Sequence, residues 1–71
     1  MFAHIARLQS GEYVICRWFF GWEYFDLSNN MWWSLPEYVR RHATKFSDPE
    51  EAKVTWHRYK INRKTTFVEF L

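Results

Sequence analysis

The sequence predicts a small α+β domain: an antiparallel β-sheet in the order β-β-β-α-α-β, with one main helix packed on one face. Three observations support this class. The runs Tyr13 to Phe20 and Trp22 to Leu27 are rich in β-formers and are separated by a turn residue, Gly21. The stretch Phe46-Ser47-Asp48-Pro49-Glu50-Glu51-Ala52 couples an apolar anchor to a helix start. A further run of β-formers, Thr65 to Leu71, follows that helix.

In chain order, Phe2 to Leu8 alternates loosely and meets the turn signal Gln9-Ser10-Gly11-Glu12, which makes it the first strand of a hairpin. The second strand, Tyr13 to Phe20, sets Val14, Cys16, Trp18 and Phe20 on one face and Tyr13, Ile15, Arg17 and Phe19 on the other, because strand side chains alternate. Gly21 permits a reversal into the third strand, Trp22 to Leu27, which Ser28-Asn29-Asn30 ends. Met31-Trp32-Trp33 reads as a lead into Ser34-Leu35-Pro36-Glu37, a capping box that opens a short helix with Leu35, Tyr38, Val39, His42 and Ala43 at helical spacing. Ala43 to Phe46 connects it to the main helix, expected over Asp48 to Lys60. There Asp48 is the N-cap, Pro49 takes the first helical position where its missing N–H costs nothing, and Glu51 can reach back. Ser47 with Glu50 offers the same box one residue earlier. Ala52, Trp56 and Tyr59 form the inward stripe, and Thr65 to Leu71 is expected to return to the sheet.

Composition narrows the function classes. The chain has 71 residues, which is one domain, 1–71, close to the lower limit for a single core. Aromatic content is 23%, with five Trp, and each buried aromatic ring removes about 150–250 Å² from water, so a few suffice for the core and others are left for contacts. The lone Cys16 has no intrachain disulfide partner, and a reducing, cytoplasmic setting follows. The apolar run Tyr13 to Trp22 is too short to span a bilayer and contains Arg17, while His4 and Arg7 break up the N-terminal stretch. Neither a membrane role nor a signal peptide is expected.

Catalytic signals are sparse. His4, His42 and His57 are far apart and none lies at metal-ligand spacing from Cys16. Ser10, Ser28, Ser34 and Ser47 sit in turns or caps, and Gly11 and Gly21 are too isolated to cradle a phosphate. Glu50 and Glu51 are explained by capping and the helix dipole. No cofactor, metal or catalytic residue is expected, and the chain reads as a binding protein rather than an enzyme.

The contact candidates are aromatic and basic. Helices on one side of the sheet leave a second face carrying either Tyr13, Ile15 and Phe19 or Val14, Trp18 and Phe20, unless the first strand and the Trp32-Trp33 segment fold over it. Trp22, Trp32 and Trp33, with Arg40 and Arg41 at the rim, are the first candidates for a protein interface; the alternative for Trp32 and Trp33 is that they close the core. Trp18 and Trp56 are expected to be buried. Lys53, His57, Lys60 and Lys64 line up on one helix stripe, either a solvated face or a surface for phosphate or an acidic partner.

Two resemblances arise at these residues. The run Ala43 to Lys53, following Tyr24-Phe25-Asp26-Leu27 and Trp32-Trp33, resembles a pattern of small phage-encoded accessory proteins, among them host-takeover factors and anti-CRISPR-type inhibitors. That resemblance implies a cytoplasmic inhibitor or modulator that binds a host protein or protein complex and carries no chemistry of its own. Phe46, Glu50, Glu51 and Ala52, after three strands, are also similar to AP2-type DNA-binding domains, where the sheet reads DNA through arginines and tryptophans; Arg17, Trp18 and Trp22 match that role. Here the basic residues sit on the helices instead, which ranks nucleic-acid binding second. A homodimer through the open sheet face is the third reading.

Overall fold

A computed structural model describes residues 2–59 and 66–67 of the chain. It is an α+β fold built from strands β1 (Phe2–Arg7), β2 (Tyr13–Trp18), β3 (Trp22–Asp26) and β4 (Met31–Trp33), helices α1 (Pro36–His42) and α2 (Pro49–Tyr59), and a short strand β5 (Thr66–Phe67). The sheet order is β4-β3-β2-β1-β5. The first four strands form an antiparallel meander, and β5 pairs parallel to β1 through Phe2↔Thr66 and Ala3↔Phe67. The expected last strand is therefore present at these two positions; its remaining residues lie outside the described ones.

The strand faces follow from the register. Ile5↔Ile15, Arg17↔Glu23 and Phe25↔Trp32 place Ala3, Ile5, Tyr13, Ile15, Phe25 and Trp32 on one side. This is the core face, where Ala52 and Trp56 of α2 close over Ala3, Ile5, Ile15, Phe25 and Phe46. Trp56 stands edge-on to Phe25 at 6.4 Å and to Trp32 at 6.2 Å between ring centroids, the offset geometry that aromatic quadrupoles favour. Helix α2 begins as its sequence dictates: the Asp48 carboxylate accepts from the Glu50 N–H at 2.7 Å, with Pro49 at the first position. Glu51 meets the Ser47 hydroxyl, which donates to it at 3.2 Å.

Three local expectations are corrected. Met31-Trp32-Trp33 is a fourth strand rather than a lead-in, because Asp26 and the Ser28–Asn30 turn fold the chain back onto β3. Helix α1 has Leu35, not Ser34, at its N-cap and no side-chain cap; the Ser34–Glu37 box does not form. Finally, the helices do not share one side of the sheet. Trp33, paired with Tyr24 on the face opposite Phe25 and Trp32, stacks on His42 and packs against Tyr38 of α1 at 4.9 and 5.3 Å.

A split in the sheet lets the chain change sides. The β2–β3 ladder stops at Cys16↔Tyr24. Beyond it the segment Ala43–Phe46 fills the gap. Thr44 N–H donates to the Phe25 carbonyl at 2.9 Å, and the Leu27 N–H donates to the Thr44 hydroxyl at 2.8 Å. Tyr13 and Phe46 exchange both backbone bonds, at 2.7 and 2.8 Å. The connection thus satisfies strand groups that would otherwise be orphaned, and delivers Phe46 into the core below α2. No helix among the described residues is long and apolar enough to cross a membrane.

Candidate functional site

The α1 face carries His4, Ala6, Val14, Cys16, Trp18, Trp22, Tyr24, Asp26 and Trp33 by register. Its α1 end is closed. Asp26, only 2% exposed, accepts from the Trp33 indole at 3.1 Å, the Asn29 side-chain amide at 2.7 Å, and the backbone N–H groups of Ser28 and Asn29. Burial alone would raise the Asp26 pKa, but these hydrogen bonds outweigh it and hold the carboxyl below its ordinary value. In the middle, Cys16 is buried, and desolvation pushes its thiol up to about 11, leaving it protonated and inert. Burial likewise raises the Tyr24 phenol, with a smaller contribution from the neighbouring Cys16.

The other end of the sheet is open. Trp18 and Trp22 pair across β2 and β3, edge-on at 5.5 Å, and a three-residue loop, Phe19-Phe20-Gly21, joins them. All four aromatics are exposed: Trp18 by 58%, Phe19 by 48%, Phe20 by 94% and Trp22 by 40%. Pairing Trp18 with Trp22 demands a tight reversal, and Gly21 supplies only one of its unusual conformations, at φ +154°. Phe20 is forced into the left-handed region at φ +57°, a conformation that L-residues with bulky side chains avoid. The fold gains little in return, because the Phe20 ring meets Phe19 edge-on at 4.9 Å and otherwise faces solvent.

The neck of the hairpin is electrically neutral. Arg17 Nε donates to Glu23 Oε1 at 2.7 Å across the strands, and the guanidinium lies 4.2 Å over the Trp32 ring on the core face. Among residues 17–24, Arg17 and Glu23 are the charged ones, so the aromatic tip presents no net charge.

The sequence candidates scatter around this site. Trp22 belongs to it. Trp32 is half-buried in the core beside Phe25 and Trp56, and Trp33 is half-buried between Asp26 and α1, so the structure gives both rings packing roles. Trp18, expected in the core, is exposed because the register turns it to the face opposite α2; Trp56 is buried as expected. Arg40 and Arg41 are exposed on α1, with Arg41 paired to Glu37 at 3.4 Å. Lys53 is half-buried and His57 exposed on α2, while Lys60 and Lys64 lie outside the described residues. Phe19 and Phe20, which alternation puts on opposite faces of the second strand, instead form the loop beyond its end at Trp18. The signal that finds them is conformational: a reversal this short needs a residue at positive φ, and here Phe20 takes that conformation beside Gly21.

Among the described residues no group of three His, Cys, Asp or Glu side chains gathers to hold a metal ion. No protein-family model, curated protein or solved structure matches this chain.

Proposed function

We propose that the protein acts by association, as a small binding protein that inserts the aromatic β2–β3 hairpin into an apolar recess of a protein partner. The observation that carries this reading is Phe20, 94% exposed on a left-handed backbone. Strained backbone and exposed aromatic surface both cost the free protein stability, and a partner pocket recovers the second by desolvating the rings. Trp and other large aromatics are the residues whose truncation at interfaces costs about 2 kcal/mol or more. The resemblance to phage-encoded accessory proteins is in keeping with a bacterial host complex as the partner and with a modulator's role.

The neutral tip argues against nucleic acid as the occupant. Binding that draws on counterion release needs several cations on the contact surface, and Arg17 is already committed to Glu23. The test is capture from a nuclease-treated bacterial lysate on tagged wild type, Phe20→Asn, and a Lys53→Glu, Lys60→Glu double variant, with a parallel salt titration of duplex DNA binding. A protein complex held by wild type and by the double variant, and lost by Phe20→Asn, is the expected result. Loss with the double variant alone, or DNA affinity that falls steeply with salt and no protein partner, would overturn the reading.

A further inference from the structure

A second feature of the α1 face is separate from the hairpin. Where α1 crosses the sheet it leaves a groove of about 690 Å³, lined by Leu8, Val14, Pro36, Val39 and Ala43 with Gln9, Tyr24, Ser34, Arg40 and Lys45. This is within the range of about 300–1,000 Å³ typical of small-molecule sites. Its apolar lining is mostly aliphatic. Its polar lining is uniformly able to donate: a phenol, a hydroxyl, an amide, a guanidinium and an ammonium, with no carboxylate.

Four of these five donors are also uncommitted. The side chains of Gln9, Tyr24, Ser34 and Arg40 take no hydrogen-bond or ion-pair partner among the described residues, and the acid nearest in sequence, Glu37, is paired with Arg41. Lys45 is held in place by donating to the carbonyls of Arg40 at 2.9 Å and Ala43 at 3.4 Å, which leaves one of its three N–H groups for a ligand.

From this lining we infer that the groove binds a small carboxylate with an aliphatic body, of the medium-chain fatty-acid class. The chain lies along Leu8, Pro36 and Val39, the lining residues that keep apolar surface accessible, and the head group reaches Arg40 and Lys45. Charge complementarity selects the anion, since a neutral molecule of the same shape gains the burial but leaves Arg40 and Lys45 without a counter-charge.

The test is titration of the isotope-labelled protein with decanoate, below its micellar concentration, followed by backbone amide shifts. Saturable shifts clustered at Val14, Tyr24, Val39 and Ala43 are expected. Decanol should bind at least about ten-fold more weakly, as should decanoate to Arg40→Glu, a change at an exposed residue whose fold the amide spectrum without ligand checks. Equal binding of decanol, undiminished binding by Arg40→Glu, or absence of saturable shifts would overturn the inference. So would shifts confined to residues 17–22, which would report fatty chains on the aromatic hairpin instead. Tighter binding of a capped peptide ending in a free leucine carboxylate would overturn the assignment to a fatty acid.

Discussion

Replacing Phe20 by asparagine separates what this residue does for the fold from what it does for a partner. The left-handed backbone at φ +57° costs an L-residue about 1–2 kcal/mol, and asparagine tolerates that region far better. Against this gain stands the loss of one edge contact with Phe19, worth about 0.5 kcal/mol, the lower end for aromatic pairs, because both rings are exposed. No burial is forfeited, since the ring is 94% exposed. Phe20→Asn should therefore stabilise the protein by about 0.5–1 kcal/mol, which for a domain of this size raises Tm by about 2–8 °C. Phe20→Ala keeps the strain and loses the ring, so it should leave Tm nearly unchanged. Both variants should lose partner retention. Thermal unfolding by circular dichroism reads the first effect and pull-down the second. A fall in Tm of several degrees with Phe20→Asn would refute the reasoning, because it would mean that the ring supports the native structure and is not held outward at the fold's expense.

Other outcomes follow from the packing. Asp26→Ala leaves the Trp33 indole and two backbone N–H groups without their acceptor, and should cost at least about 2 kcal/mol in urea unfolding. Because the native Asp26 pKa is depressed, its contribution is complete above the unfolded value of about 4 and is lost as pH falls through the native one; wild type should weaken on acidification more than Asp26→Asn does. Trp56→Ala opens a cavity between Phe25 and Trp32 and should cost about 3–5 kcal/mol, enough to unfold a domain this small. Asp48→Ala removes the bond to the Glu50 N–H and should cost about 1 kcal/mol, whereas Ser34→Ala, which caps nothing, should be close to neutral. Cys16, with its thiol pushed up to about 11, should resist a disulfide reagent in the native state and react once urea exposes it; rapid native reaction would contradict its burial.

Much of the architecture was legible in the sequence because it depends on short-range chemistry. Alternation placed Phe25 opposite Tyr24 and Ile15 opposite Cys16 within their strands, and Asp48-Pro49 set the start of α2 within a residue. The reversal at Gly21 followed from backbone freedom alone. Which strand face each helix covers is not local, and here the tertiary structure decided. The register that seats Trp56 on Phe25 also directs Trp18 away from α2, and so an expected core residue became part of the exposed hairpin. The same holds for Met31-Trp32-Trp33: a strand of three residues has no periodicity to read, and it exists because β3 offers an edge and Asp26 receives the Trp33 indole. The move of α1 to the opposite face, and with it the groove beside Arg40 and Lys45, rests on Thr44 and Phe46 pairing with β3 and β2 across the split in the sheet. Those bonds join residues tens of positions apart, and their free energy is realised only once the strands they complete have formed.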